Sequence, residues 1–304
     1  MHPSTSRSAP ERLLQRLDWQ VIRRLDGILQ GDYRSLFYGS GLDLADIREY
    51  QPGDDIRHLD WNVTARMSTP YVRLYTEDRE ITAWFLLDLS PSVDFGTVDN
   101  LKRDRLIEFS AVLARLLTRH GNRVGAILYD GVAERVFPTR SGRLHVLRLI
   151  DELQRRPRLP KAPFTDLRVL LASAYRVIRR RSLVFVVSDF ISTPGWEDLL
   201  ALLARRHEVL AVRLWDPREI ELPDIGMVLM QDAETGEQLF VDTHNQGFRR
   251  RFNEAAMRRQ ASLDEAFRHA RVDVLSVSTE GDLVRAIVEF AGRRKQKKHL
   301  ARTS

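Results

Sequence analysis

The sequence has no cysteine among its 304 residues, which excludes disulfides, thiolate metal sites and cysteine nucleophiles. It also lacks any apolar run close to the roughly 20 residues that a membrane-spanning helix needs. The N-terminal segment has no apolar core of the kind found in secretory signals, so we expect a cytoplasmic protein. Any metal site must use oxygen or imidazole ligands. We therefore expect a hard cation, with Mg²⁺ first and Mn²⁺ or Ca²⁺ next.

Lysine is scarce, because only five of the 48 basic residues are lysine and arginine supplies the rest. Arginine pairs bidentately with carboxylates and phosphates, so this bias fits internal ion pairs or an anionic partner. The net charge is +6, but 42 acidic residues accompany the basic ones, which favours internal pairing over a nucleic-acid surface. We expect the basic tail, residues 294–304, to be disordered.

Several catalytic and nucleotide-binding motifs are also absent. The eight histidines show no metal-binding spacing, and the sequence has neither a Gly-x-Ser-x-Gly elbow nor a Gly-Lys pair for a phosphate loop. The segment Gly39-Ser-Gly41 is too short to match the glycine pattern of a dinucleotide-binding loop. These absences argue against a serine hydrolase and an ATPase, and we predict that the protein is not an enzyme.

Apolar strand-like runs and amphipathic helical runs alternate from about residue 80 onward. This alternation predicts an α/β fold with a doubly wound, mostly parallel sheet covered on both faces. The predicted domains are a disordered tail and N-terminal helix at 1–30, a small β-rich lobe at 31–79, an α/β domain at 80–293 and the basic tail. Two alternating apolar runs around a glycine-containing turn predict a β-hairpin inserted at about 216–245.

Oxygen side chains follow two of the predicted strands. Asp88, Ser90 and Ser92 follow the apolar run 81–87, Asp189 follows the run 182–187, and Thr165 stands where a helix begins, as its expected N-cap. In an open α/β sheet, ligands collect at the carboxyl ends of strands where the strand order reverses. Two carboxylates and three hydroxyls leave at least one position of an octahedral Mg²⁺ to water, so the site should accept a carboxylate from outside. We identify no general base that would activate a metal-bound water.

The motif Asp88-x-Ser90-x-Ser92, with the later Thr165 and Asp189, resembles the metal-ion-dependent adhesion site of von Willebrand factor A domains. The upstream segment REYQPGDDIRHLDWNVTAR, residues 48–66, is similar to the bacterial domain of unknown function 58 family. The resemblance extends from about residue 31 to the last helix. It implies a von Willebrand A-like, Rossmann-type sheet, bound Mg²⁺ and a role in protein interaction. Family members are commonly encoded near MoxR-type AAA+ ATPases and are thought to act with them in chaperone-like maturation or metal insertion.

Two features depart from the family pattern. Pro91 stiffens the loop between the two serines, and Leu-Asp-Leu at 42–44 replaces an expected glutamate-phenylalanine pair. We expect the first change to be harmless and the second to alter the N-terminal lobe.

Three functions remain open at this point. The favoured one is an adaptor or chaperone-like protein that captures an acidic side chain of a partner, namely a MoxR-type ATPase or its clients. A metal-dependent phosphatase or hydrolase is the alternative, although Ser90 stands where a haloacid-dehalogenase-type Asp-x-Asp pair would need its second aspartate. Nucleic-acid binding through arginine would show steep salt dependence.

The lobe carries a charged run that we interpret as an ion-pair network fixing the lobe against the sheet, with a partner-docking surface as the alternative. The members of this run are Asp54, Asp55, Arg57, Asp60 and Arg66. We expect Trp61, Trp84 and Trp196 to be aromatics that pack in the core or in the lobe, rather than ones that stack on a nucleotide.

Overall fold

The structure is a computed structural model, and it describes residues 8–23, 25, 46–52, 54, 56, 59–67, 69–74, 81–97, 100–131, 134–158, 164–232 and 235–303. Several predicted features lie outside the described residues. They are the end of the first helix at Gly31, the segments 39–41 and 42–44, and Asp55 and Arg57 of the charged run.

The first helix, α1 (Ala9–Leu17), continues into a π-helical turn at Asp18–Ile22. At its start the backbone N–H of Ser8 donates to the Glu11 carboxylate at 3.1 Å, as in a capping box. Leu14, Leu17 and Ile22 are buried and join the core on one face of the main sheet. The predicted amphipathic helix is therefore present over these residues.

A small two-stranded sheet follows, formed by β1 (Asp46–Glu49) and β2 (Tyr71–Leu74), which pair antiparallel. Helix α2 (Trp61–Met67) connects them, and the buried Asp60 accepts the Val63 N–H at 3.2 Å at its start. Asp54 of the charged run pairs at 2.6 Å with Arg48, which lies outside the run on β1. Trp61 is 71% exposed, so its predicted burial is wrong, because as the first residue of α2 it lies on the outer side of the helix.

The main sheet has six strands in the order β10-β7-β6-β3-β4-β5. In chain order they are β3 (Thr82–Asp88), β4 (Arg123–Tyr129), β5 (Glu134–Arg140), β6 (Leu183–Ser188), β7 (Glu208–Trp215) and β10 (Asp273–Ser278). All neighbours are parallel except β5, which pairs antiparallel at the edge with β4. The predicted, mostly parallel sheet is confirmed.

Helices cover both faces of this sheet, as the alternation predicted. On one face lie α1, α3 (Lys102–Arg119), α4 (Arg143–Arg155) and α8 (Leu283–Thr303), around a core in which Phe85 stacks on Phe185 at 4.9 Å. On the other face lie α5 (Leu167–Val177), α6 (Trp196–Arg206) and α7 (Gln246–Ala270), with Trp84 and Trp196 buried beneath them. The fold is therefore a doubly wound α/β sheet.

The strand order reverses between β3 and β6. From β3 the chain runs to β4 and β5 on one side, and then returns to form β6 on the opposite side of β3. Leu87 of β3 is in register with Val187 of β6, so the two strands end side by side. Asp88 and the residues after Val187 thus meet at the place where doubly wound folds bind ligands.

The predicted hairpin is confirmed as β8 (Met227–Gln231) and β9 (Gln238–Asp242), which form a separate antiparallel pair. The predicted disorder of the basic tail is wrong, since α8 continues to Thr303. Arg294 forms ion pairs with Glu208 and Asp273, which hold the helix against the sheet beyond Gly292. Lysine and arginine also favour helix, so the tail extends it. Within the part of the chain that the structure describes, no helix combines the length and apolar character that a membrane span requires.

Candidate metal centre

The loop after β3 brings the first three predicted ligands together. The Ser90 N–H donates to Asp88 Oδ1 at 3.0 Å, and the hydroxyls of Ser90 and Ser92 lie 3.1 Å apart. Pro91 begins a short 3₁₀ turn, Pro91–Asp94, and its fixed φ suits that first position. Asp88, Ser90 and Ser92 are all at most 5% exposed. The loop therefore presents one carboxylate and two hydroxyls from a compact, buried turn.

The end of β6 supplies the second half of the cluster. The Ser188 hydroxyl donates to Asp88 Oδ2 at 2.6 Å, and it accepts the N–H of Phe190 at 2.9 Å. The Ile191 N–H donates to Asp189 Oδ1 at 3.0 Å. Phe190 has a φ of +58°, a left-handed conformation that costs a non-glycine residue about 1 kcal/mol or more. Its buried ring contacts Trp196 and Phe267, and this packing stabilises the sharp turn that carries Asp189.

The ionised form of the Asp88 carboxyl is unfavourable in this position. Burial, followed by the negative charge of Asp189, raises the pKa of Asp88 from 3.8 to about 6, against the opposing hydrogen bonds from Ser188 and Ser90. Two buried carboxylates close enough to repel each other attract a cation, because a positive charge between them removes the repulsion. Such a shift at the reversal point of the strand order marks this cluster as the candidate functional site.

Thr165 lies just before α5, and its backbone carbonyl contacts the loop after β6 that carries Asp189. Its carbonyl accepts the Thr193 N–H at 2.9 Å and the Ser192 hydroxyl at 3.1 Å, and the residue is fully buried. The predicted role of Thr165 as N-cap of α5 is wrong, because Asp166 takes that position and accepts the Arg168 N–H at 3.0 Å. These bonds from the Thr193 N–H and the Ser192 hydroxyl hold the Thr165 carbonyl, and the helix begins one residue later than predicted. A ligand role for the Thr165 hydroxyl stays a prediction.

Lys102 is a site residue that the sequence analysis missed. Its Nζ donates to Asp189 Oδ2 and to Glu219 Oε1, both at 2.6 Å, and the side chain is 1% exposed. Burial alone would lower the pKa of Lys102, but the charges of Asp189 and Glu219 outweigh burial and raise it above the usual value. One signal was present in the sequence, since a lone lysine at a helix N-terminus opposes the helix dipole and needs another reason to be there.

Asp216 is a second missed residue, and it joins three loops at this edge of the sheet. Its carboxylate accepts the hydroxyls of Thr97 and Thr279, both at 2.7 Å, and the N–H groups of Thr97 at 3.1 Å and Arg218 at 2.8 Å. Burial would raise the pKa of Asp216, but these hydrogen bonds lower it below 3.8 overall. The network fixes the short turn Pro217–Glu219, which carries Glu219 towards Lys102.

The donor set suits a hard divalent cation. The 3.1 Å separation of the Ser90 and Ser92 hydroxyls is close to the edge of an octahedron with Mg²⁺–O distances of 2.0–2.1 Å, which is about 3 Å. Asp88 and Asp189 add charge beside them. Among the described residues, no group of three or more His, Asp or Glu side chains is arranged to hold a metal, so a cation bound at this cluster would need the serine hydroxyls as ligands. In the structure, Lys102 occupies Asp189 Oδ2.

Comparison with known proteins identifies the family. The family described as "Protein of unknown function DUF58" matches residues 46–262. The chain belongs to the DUF58 family. The "Uncharacterized protein Rv1480" of Mycobacterium tuberculosis (strain ATCC 25618 / H37Rv) is 38% identical over 285 residues, which span 93% of this DUF58 chain and 89% of that protein. The family resemblance predicted from residues 48–66 is confirmed, whereas the metal ligands stay predictions.

Two solved structures are similar to this DUF58 chain at low sequence identity. The conserved hypothetical protein BatB from Bacteroides thetaiotaomicron is 14% identical, with a TM-score of 0.45, over 71% of this chain and 99% of its own. The SpRpn10 VWA domain is 12% identical, with a TM-score of 0.36, over 69% of this chain and 93% of its own.

Proposed function

We propose that this DUF58 protein is a Mg²⁺-dependent protein-interaction protein that captures an acidic side chain of its partner. The observation that carries the proposal is the cluster of Asp88, Ser90, Ser92 and Asp189 at the reversal of strand order, with two carboxylates that repel each other. The two carboxylates balance the charge of Mg²⁺, but four protein oxygens leave positions of its octahedral shell open to water. A carboxylate from a partner can replace this water.

The proposal is one of binding and not of catalysis. The Asp88 carboxylate accepts hydrogen bonds from Ser90 and Ser188, and the Asp189 carboxylate accepts from Ile191 and Lys102. Carboxylates held on both oxygens are fixed in place, which suits ligands better than general bases that must take up a proton. This arrangement supports an adaptor or chaperone-like role.

The partner that we propose is a MoxR-type AAA+ ATPase, acting together with its clients. Membership of the DUF58 family supports this choice, because the family resemblance is what implies such a partner. An acidic side chain exposed on the ATPase or on a client would supply the outside carboxylate.

The test is capture of a purified MoxR-type ATPase from the same genome by the immobilised full chain, in Mg²⁺ and in chelator. Ser90→Ala removes one proposed ligand whose hydroxyl contacts the Ser92 hydroxyl, so the fold should persist. Ser262→Ala, on the exposed face of α7, is the matched control. We expect capture by wild type and the control in Mg²⁺, and loss of capture in chelator and with Ser90→Ala. Capture that survives both treatments would reject the proposal.

The same wild-type and Ser90→Ala proteins test the phosphatase or hydrolase alternative. Incubation with p-nitrophenyl phosphate and Mg²⁺ should release no product above that of the Ser90→Ala variant. Turnover by the wild type that Ser90→Ala abolishes would favour the phosphatase or hydrolase alternative.

A further inference from the structure

Lys102 places a positive charge on a carboxylate that the proposed metal site uses. Its ammonium lies 2.6 Å from Asp189 Oδ2 and 2.6 Å from Glu219 Oε1. The side chains of Lys102 and Asp189 are each 1% exposed, and that of Glu219 is 18% exposed. An ammonium this deeply buried is retained only when carboxylates surround it, because its hydration has been lost.

The helix itself does not favour this lysine. Lys102 is the first residue of α3, where the helix dipole opposes a positive charge. Its backbone N–H donates to the Phe95 carbonyl at 2.8 Å, and its ammonium lies 5.7 Å from the centre of the Phe95 ring. The compact, strongly hydrated lysine ammonium fits between two carboxylates as a point charge, which the planar guanidinium of the prevailing arginines would not do. The two carboxylates therefore account for lysine at this position.

Glu219 offers the ammonium a second anchor beside the site. Its other oxygen, Oε2, accepts the Asp216 N–H at 3.1 Å, and the hydrogen bonds from Thr97 and Thr279 fix Asp216 in turn. The ammonium can thus leave Asp189 and remain paired with Glu219. The two carboxylates come from different loops, so this shift requires no change within the sheet.

We propose that Lys102 is an internal competitor of the metal. Its ammonium neutralises Asp189 in the metal-free protein, and a divalent cation at the Asp88 cluster displaces it towards Glu219. This inference rests on the proposed function, because it requires the metal site. Lys102 then weakens metal binding by direct repulsion, and it couples metal binding to a change in the Lys102–Glu219 contact. The contact between Lys102 and Glu219, which lies on the β7–β8 connection, therefore differs between the metal-bound and the metal-free protein.

Calorimetric titration of the intact chain with MgCl₂ tests the proposal. Lys102→Met removes the competing charge, and we expect it to bind Mg²⁺ about tenfold more tightly than wild type, or better. Glu219→Gln leaves the ammonium with Asp189 alone, so we expect weaker binding. Arg105→Met removes a positive charge one turn further along α3, where Arg105 contacts Glu108 and the Thr279 carbonyl. This control should stay within about threefold of wild type.

The outcomes separate the two proposals. If wild type binds Mg²⁺ and Lys102→Met binds no more tightly, the competitor is rejected while the metal site stands. If neither protein binds Mg²⁺, the metal site and the competitor are both rejected. Lys102→Met leaves Asp189 and Glu219 unpaired, so circular dichroism must first show that it is folded. If it is not, Lys102→Met combined with Glu219→Gln replaces it, and tighter binding than Glu219→Gln alone is then the expected result.

Discussion

Replacing Asp88 with asparagine should stabilise the metal-free protein at neutral pH. Asp88 is fully buried, and burial followed by the charge of Asp189 raises its pKa to about 6. Asparagine has nearly the same shape and no charge, and its carbonyl oxygen keeps the hydrogen bond from the Ser90 N–H. The amide nitrogen of asparagine faces the Ser188 hydroxyl, which must then accept a hydrogen bond instead of donating one, and this change does not depend on pH. The variant therefore removes the electrostatic penalty without opening a cavity.

The magnitude follows from linkage between proton binding and folding. The folded-state pKa of Asp88 is about 6 and the unfolded value is 3.8, so the folded protein holds this proton more tightly. The resulting stability is fully present below pH 3.8 and is lost as the pH rises through about 6. A difference of about two pKa units corresponds to about 3 kcal/mol of lost stability above pH 7, of which roughly half is lost between pH 5 and pH 8.

Urea unfolding of wild type and Asp88→Asn in chelator, at pH 5 and at pH 8, measures this quantity. We expect the stability of the variant relative to wild type to increase by roughly 1–2 kcal/mol from pH 5 to pH 8. Ser262→Ala is the control, and its difference from wild type should not depend on pH. A difference for Asp88→Asn that stays constant, or that shrinks as the pH rises, would refute the assignment of a raised pKa to Asp88.

Three further predictions concern stability and are measured by the same unfolding experiment at pH 7. Asp216→Ala removes the acceptor shared by Thr97 and Thr279 and should cost about 3 kcal/mol; a loss below 1 kcal/mol would contradict its role in joining the loops. Phe85→Ala deletes a fully buried ring stacked on Phe185 and should cost about 3–5 kcal/mol. An unchanged stability would contradict the packing of these two rings in the core. Phe240→Ala, on the hairpin, should change stability by no more than about 0.5 kcal/mol because this ring is 71% exposed; a larger loss would reveal contacts there.

The fold was predictable because its signals are local. The apolar runs that became β3 and β6 end in Asp88 and at Ser188, and interleaved helices made a parallel sheet the expected arrangement. Parallel strands align their carboxyl ends, so the meeting of the Asp88 loop with Asp189 followed from the fold class. The β8–β9 hairpin was equally local, since its turn and alternating residues are adjacent in sequence.

The missed features depend on contacts between distant residues. Lys102 lies 87 residues from Asp189 and 117 from Glu219 in sequence, and no periodicity connects such partners. The start of the tail is likewise held by a distant contact, since Arg294 reaches Glu208, 86 residues away. Where local signals compete, a distant contact decides between them.

The start of α5 illustrates such a decision. Both Thr165 and Asp166 are good N-caps by residue type, and the Thr193 and Ser192 bonds to the Thr165 carbonyl select Asp166. Trp61 is a case in which residue type alone was misleading. Its aromatic side chain suggested burial, but it directly follows the capping Asp60 and its side chain is exposed.

The most direct test of the metal centre is an anomalous difference map from crystals of the full chain grown with Mn²⁺, a heavier substitute for Mg²⁺. We expect a peak at bonding distance from the Ser90 and Ser92 hydroxyls, beside Asp88, with the Lys102 ammonium moved away from Asp189. No peak between these oxygens, with Lys102 still bound to Asp189 at saturating Mn²⁺, would contradict it.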